Sequence, residues 1–405
     1  KQKCSPARCC SRNATSDCVT PRMRRIEIAS VLRADVAVLT RNLELWPVLR
    51  EVIEGFSVLE LETIKTPLNL RDTRRVLRHI IVDKTSIGYA SMAARLHRSG
   101  VKVLLVVDQT LEVVNELGRI LPDLPQILIA HGSQREQVLA EFHRVPHRDN
   151  RVLCVWGKSD ADIYAKGIGE HQSVYCEPVG SLRNAGYLRL HPLNSARVAR
   201  VPLLFISQYS GQDEEDTSST SKRNQILTLI KAHLRRYCIE HHLPLHVALR
   251  PPASAILEPK QSLNERRHYE KAFSGVHLSF TDPTDSYASY RASDESDITV
   301  GVPTGALTES FARGNKVLMV KQDPNTGSYY GFPVDGDWVL TEPSYEQFAT
   351  RLDELRSMSR QAVSAKWLRE REYMVANADS DAPIQLVQVL IRRAILGANS
   401  ETIFQ

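Results

Sequence analysis

The feature that most constrains this chain is a rhythm of short, continuous apolar runs separated by longer amphipathic stretches. "DVAVLT", "RHIIVD", "VKVLLVVD", "QILIAH", "RVLCVWG" and "SVYCEPVG" are β-branched runs without polar alternation. A strand with one wet face alternates in polarity, whereas a continuous run needs cover on both faces, which helices supply in a parallel sheet. Between the runs, "TSIGYASMAARLHRSG" and "SQREQVLAEFHR" have helical spacing, and Gly100 ends the first as a helix stop. A second series follows, with strands "VPLLFISQ", "LHVALRP", "VHLSF", "SDITVGV" and "NKVLMVK". Its helices are "SKRNQILTLIKAHLRRYCIE", "NERRHYEKAF", "GALTESFAR" and "YEQFATRLDEL". The pattern predicts an α/β chain of two tandem Rossmann-like parallel-sheet domains with a cleft between them.

A chain of 405 residues, 42% hydrophobic and 24% charged, exceeds what one core usually serves and has the apolar content for two. The expected division is a basic, Ser-rich flexible lead-in at 1–25, a first domain at 26–197, a second at 198–360, and a helical tail at 361–405 partly packing back on the first. "RLHPLNSARVARVP" reads as the linker. No apolar run approaches the ~20 residues that span a bilayer. Cys4, Cys9, Cys10 and Cys18 crowd the start at spacings that fit no ordinary zinc pattern. The lead-in reads as disordered or targeting-derived, a disulfide knot being the alternative. Cys154, Cys176 and Cys238 lie in apolar segments and read as small buried hydrophobes. The net charge of +5 comes without a dense Lys/Arg tract interleaved with aromatics, so nucleic acid is not an expected partner. The mild excess suits an anionic substrate or a membrane surface.

Ligands of open α/β sheets meet the residues just after each strand. After "QILIA" come His131, Gly132 and Ser133, an imidazole placed for proton transfer or for capping the next helix. Ser159 and Asp160, after "RVLCV", read as natural N-caps, and Gly180, Ser181 and Arg183 follow "SVYCEP" with amides that face the cleft. In the second half, "LLFIS" leads to Gln208 and Ser210, then to an acidic loop with Asp213 and Asp216 that is ordinarily just solvated. Arg250 stands at a strand end with no carboxylate near it in sequence, which suits a phosphate. Thr304 and Gly305 open a helix whose free amides and dipole favour an anion. Glu309, one turn on, is placed to accept from the two hydroxyls of a ribose, or, more plainly, to pair with Arg313 at i+4. Neither a Walker A lysine motif nor GxGxxG after a strand is present, which argues against a P-loop ATPase or an NAD enzyme.

With these residues in view, the chain resembles the GT-B glycosyltransferases of bacterial surface-carbohydrate synthesis. It looks closest to the capsule and lipopolysaccharide Kdo transferases, and more distantly to polysialyl- and CDP-glycerol transferases. The stretches that carry the resemblance are "ILIAHGSQRE", "VLCVWGKSDADIYAKG" with "VGSLRN", "SDITVGVPTGALTESFARGNKVLMV", and "GFPVDGDWVL" with "FATRLDELRSMS". It implies a metal-independent enzyme, without cofactor, that moves a sugar from a nucleotide donor, a CMP-sugar first, to a glycan or glycolipid acceptor. His131-Gly132 matches the family's His-Gly pair, whose His is the base in some members. The usual His-Pro pair stands here as Arg250-Pro251, and the Ser/Thr pair as Thr304 followed by Gly305. Glu309 matches the acidic residue that holds the ribose. Members of the Kdo branch retain configuration through a covalent Asp, for which Asp213 and then Asp216 are the candidates. The bacterial relatives act on the cytoplasmic face of the inner membrane, with peripheral contact. The early cysteines and the Asn13-Ala14-Thr15 sequon would suit a lumenal stem instead.

Overall fold

The computed structural model describes residues 33–40, 45–61, 73–107, 111–130, 132, 150–168, 175–193, 199–209, 222–250, 259–321 and 336–397. Two six-stranded sheets organise these residues, and every strand pair in them is parallel. The first holds β1 (Val36–Thr40), β2 (Val58–Leu61), β3 (Val103–Val107), β4 (Gln126–Ile129), β5 (Arg151–Val155) and β6 (Tyr175–Pro178), in the order β2-β1-β3-β4-β5-β6. The second holds β7 (Val201–Ile206), β8 (Leu245–Ala248), β9 (Leu278–Phe280), β10 (Ser296–Gly301), β11 (Lys316–Lys321) and β12 (Val339–Thr341), in the order β12-β11-β10-β7-β8-β9. That second order is the dinucleotide-fold arrangement, with its reversal between β7 and β10.

The helices among the described residues begin with α1 (Trp46–Val52), α2 (Thr73–Val82), α3 (Ile87–Arg98), α4 (Leu111–Ile120), α5 (Lys158–Ile168) and α6 (Leu182–Leu190). With the second sheet come α7 (Lys222–Glu240), α8 (Pro259–Ala272), α9 (Ala288–Glu295), α10 (Gly305–Ala312) and α11 (Tyr345–Ser357). The tail forms α12 (Arg360–Lys366), α13 (Leu368–Met374) and α14 (Ala382–Leu396).

The two-residue period of a strand divides the first sheet's side chains between two cores. Val36, Val38, Val103 and Leu105 pack with α1 and with Ile384, Val387 and Ile391 of α14. Ala37, Leu39, Leu104 and Val106 pack on the other face, with Met92, Leu96 and Leu117. Each such aliphatic side chain contributes about 1.5–3 kcal/mol by leaving water. The second sheet is covered by one cluster that includes Phe205, Phe273, Phe311, Trp338 and Trp367. Trp156, which follows β5 of the first sheet, is buried in that same cluster.

"RHIIVD", expected as a strand, belongs to α2 instead. Its apolar residues answer a helical period: Val76 packs on Ala90 and Ala94 of α3, and Ile80 lies against them one turn on. Ser159 and Asp160 are not caps either, because α5 starts at Lys158 and both lie buried inside its first turn. Cys154 and Cys238 are buried free thiols and Cys176 is partly buried. The first four cysteines lie outside the described residues.

Candidate functional site

The carboxyl edges of the two sheets meet where α6 follows β6 and α10 follows β10. Ser181 caps α6, its Oγ accepting from the Asn184 amide at 3.2 Å. Thr304 caps α10 in the same way, accepting from the Leu307 amide at 3.3 Å. An extended N-cap residue with a short hydroxyl satisfies one of the amides that a helix start leaves open. Gly305 lies against Trp156, whose Cη2 would be 3.1 Å from a Cβ at that position. The α10 N-terminus, read from sequence as an anion site, is thus partly roofed by an indole from the first sheet.

Glu309 is 2% exposed and both its oxygens are engaged. Oε1 accepts from the Ser181 hydroxyl and Oε2 from the Tyr290 hydroxyl. Burial, with the Glu309 charge next, holds the Tyr290 phenol well above its ordinary pKa, so it stays a donor. The expected i+4 pair with Arg313 is not made. Arg313 is fully buried and bonds Asp294 at 3.1 Å and the Asn184 Oδ1 at 2.8 Å. Its guanidinium lies 4.8 Å from the Tyr290 ring centroid and 5.2 Å from that of Tyr187. Tyr187 donates to Asp294 at 2.7 Å, and Arg183 donates to the Ser286 carbonyl at 3.2 Å. Polar groups of α6 and of the α9–α10 pair are thereby satisfied by each other, as buried polar groups must be.

The tail completes this edge. The Ala376 amide donates to the Trp156 carbonyl at 2.8 Å, and the Asn184 side chain donates to the Ala378 carbonyl at 2.8 Å. Gly157 and Gly180 make room: a Cβ on them would fall 2.4 Å and 2.3 Å from backbone atoms of Met374 and Ala376. Gly180 also has φ 103°, which favours glycine. Its amide, expected to face the cleft, donates to the Val155 carbonyl at 3.2 Å.

A second polar cluster lies at the carboxyl ends of β7 and β8. Glu265 of α8 is 2% exposed. Its Oε1 accepts from the Ser207 hydroxyl and from the Arg250 amide at 3.0 Å. Ser207 and Tyr269 share a hydrogen bond of 2.8 Å, and the Gln208 amide donates to Tyr269 at 3.3 Å. Burial pushes the Glu265 carboxyl above its ordinary pKa, against the lowering by these bonds and by the Arg250 charge. The Arg250 side chain is exposed. Gln208 folds back to the Ser207 carbonyl at 2.8 Å. Gly132 is half-buried, and a Cβ added to it would meet no atom within 4 Å. His131, Ser133, Ser210, Asp213 and Asp216 lie outside the described residues.

Sequence reasoning missed Trp156, Glu265, Tyr269, Tyr290 and Asp294. Glu265 is one charge among many in "NERRHYEKAF", so nothing in its spacing announces burial. Tyr287 and Tyr290, three apart before "SDITVG", were the one available signal of an aromatic face there. An open groove of about 430 Å³ sits at the opposite, amino edge of the first sheet, lined by Leu96, His97, Lys102, Ile120 and Pro122 among others, and holds no predicted site residue. Among the described residues no three His, Cys, Asp or Glu side chains gather closely enough to hold a metal ion.

No protein-family model and no curated protein sequence matches this chain. Solved structures do. One assigned as a UDP-N-acetylglucosamine 2-epimerase from Listeria monocytogenes aligns over 91% of this chain and 96% of its own, at 11% identity and TM-score 0.51. The fold is GT-B. MurG of Acinetobacter baumannii aligns over 88% of this chain and 99% of its own, at 14% identity and TM-score 0.46. HepE of Anabaena, solved with UDP-glucose, aligns over 90% and 100%, at 10% and 0.45. At 11% identity the Listeria structure speaks to the architecture and not to chemistry.

Proposed function

We propose that this protein is a glycosyltransferase that moves a sugar from a nucleotide donor to a glycan or glycolipid acceptor. The observation that carries the reading is the order of the second sheet. Its reversal between β7 and β10 puts Gln208, Arg250 and the Thr304–Gly305 helix start on one carboxyl edge. The exposed Arg250 guanidinium and the amides of α10 supply the positive ends that a leaving nucleotide phosphate needs, without a metal ion. Donor binding is assigned to Gln208, Ser210, Arg250, Thr304, Gly305 and Glu309. The acceptor side is assigned to Gly132, Ser133 and Arg183, with Gly180 and Ser181, held by Val155 and Glu309, as the frame behind them. His131 is the base if transfer inverts the anomeric centre, and Asp213 or Asp216 the nucleophile if it retains it. An acidic sugar such as Kdo on a cytidine nucleotide is the first donor to try, with bacterial capsule or lipopolysaccharide as the acceptor class. MurG and the UDP-glucose complex of HepE share the architecture, which agrees with the reading. CDP-alditol phosphotransfer is the variant that a labelled CDP-glycerol would detect.

Calorimetric titration with CMP, UDP and GDP tests it. Binding of one of them, lost in Arg250→Ala, is expected; no heat with any at millimolar concentration overturns the reading. A second reading is a nucleotide- or glycan-binding module without turnover. Its motive is the departure at Arg250-Pro251, where the imidazole of the usual His-Pro pair is lost. Transfer, or slow donor hydrolysis, with any nucleotide sugar removes it.

A further inference from the structure

The ladder between β7 and β8 reaches the Ser207 amide, which donates to the Ala248 carbonyl at 3.0 Å. Past it, side chains take the amides that the ladder no longer serves, as backbone donors away from water require. The Leu249 amide donates to Thr281 Oγ1 at 2.9 Å, and the Tyr209 amide to Ser207 Oγ at 3.2 Å. The Arg250 amide donates to Glu265 Oε1 at 3.0 Å, and the Gln208 amide to the Tyr269 hydroxyl at 3.3 Å. Ser207 joins the last two: its hydroxyl proton goes to Glu265 Oε1, so Tyr269 is the donor in the 2.8 Å bond between the two hydroxyls.

Glu265 and Tyr269 stand one turn apart, so a single face of α8 supplies both anchors. Both are buried, and the Tyr269 ring is seated against Phe205 and Phe273, with centroids 5.6 Å and 6.0 Å away. What they hold is the pair of strand ends that carry Gln208 and Arg250. We propose that Glu265 is a positioning residue for the donor phosphate. With one oxygen on the Arg250 amide and the Ser207 hydroxyl, it fixes the two strand ends at one spacing, and with them the root of the Arg250 side chain.

The bond goes to the main chain of Arg250 and not to its guanidinium. A carboxylate on the guanidinium would neutralise the charge that a phosphate needs; one on the amide leaves it in place. Burial, which raises the Glu265 pKa, works in the same direction, because a protonated acid still accepts through Oε1 and takes nothing from the cation. The exposed Arg250 side chain is long and loses rotamer freedom on binding. An anchored root removes part of the ordering that the ligand would otherwise supply. The inference rests on the transferase reading, since it takes Arg250 for the phosphate ligand.

The test is calorimetric titration of the full chain and its variants with CMP, UDP and GDP. Glu265→Ala is expected to bind the nucleotide that the wild type takes about tenfold more weakly, the size of one long side chain left unordered. Glu265→Gln keeps an acceptor for the Arg250 amide and should bind close to the wild type. The nucleoside of the same base, which lacks the phosphate, should bind Glu265→Ala as it binds the wild type; a general loosening of the fold would weaken both ligands. Tyr269→Phe keeps the ring packing and removes the hydroxyl from Gln208 and Ser207. It should weaken the nucleotide about threefold, and it decides the matter if Glu265→Ala does not fold. Full nucleotide affinity in Glu265→Ala or in Tyr269→Phe overturns the proposal. So does an equal loss for nucleotide and nucleoside, or a Glu265→Gln protein as weak as the alanine variant. Each of these leaves the transferase reading standing. A wild type that takes none of the three nucleotides overturns that reading, and this inference with it.

Discussion

Two carboxylates in the second domain are buried to the same degree and yet live in different circumstances. Glu309 and Glu265 are each 2% exposed, each on a helix near the carboxyl edge of the same sheet, and each accepts from a serine hydroxyl. Glu309 draws its partner from the first sheet's α6, beside a fully buried guanidinium that is itself held by Asp294. Glu265 draws Ser207 and the Arg250 amide from its own sheet, and its nearest cation points outward. The difference teaches that burial alone does not say what a carboxylate is for. One is set in an interlocked joint between the two sheets; the other is a poised group beside the proposed phosphate site.

The contrast is sharpest in what removing the cations should do. Arg313→Ala strands Asp294 without its buried partner and should cost about 3–5 kcal/mol in urea denaturation. Next in size, Tyr290→Phe removes one of the two hydroxyls on Glu309. A hydrogen bond to a charged acceptor is worth about 1.5–3 kcal/mol, and the loss should shift the denaturation midpoint accordingly. A midpoint equal to the wild type would show that the Tyr290–Glu309 contact is incidental to the joint.

Glu265→Gln should act the other way. The folded carboxyl has a raised pKa, so its contribution to stability is fully present below the unfolded value of about 4.3 and is lost as pH rises through the folded value. Glutamine keeps an oxygen for Ser207 and the Arg250 amide and never ionises. The variant's melting temperature, relative to the wild type, should therefore climb with pH across that window and then level off. Parallel profiles would show that Glu265 is not held against its charge. Smallest in stability is Arg250→Ala: its side chain is exposed, so thermal unfolding should be unchanged while nucleotide affinity falls. A lowered melting temperature would make Arg250 part of the Glu265 cluster's structure rather than a free hand for a ligand.

Much of the fold was legible because buried parallel strands announce themselves. "VKVLLVV" is apolar on both faces since both faces of β3 are covered. The edge strands β2 and β12 were not seen in sequence because Val58–Leu61 and Val339–Thr341 are short and carry no distinct apolar run; partial cover is not the reason, since the edge strands β6 and β9 are no better covered and were seen. "RHIIVD" misled because a β-branched triplet looks the same on a helix whose outer face is left bare. The candidate site was less legible. Thr304 and Glu309 were marked out by their place after a strand, but their partners are Leu307, Ser181 and Tyr290, the last two brought in from other elements. Pairings across sequence separations such as the 128 positions between Ser181 and Glu309 leave no local pattern.

The helix α14 closes the core of the first sheet, with Ile384, Val387 and Ile391 against Val36 and Val103. A chain made from its amino end therefore leaves that face of its first sheet covered by α1 and α6 but not by α14 for the whole time that the second is being made. That face is completed only when α14 has been made. The second sheet, whose cluster is built from residues between Trp156 and Ala378, can gather most of its core earlier. Synthesis order and completion order are thus reversed, and a polypeptide cut short before Ala382 would strand the older domain rather than the younger one.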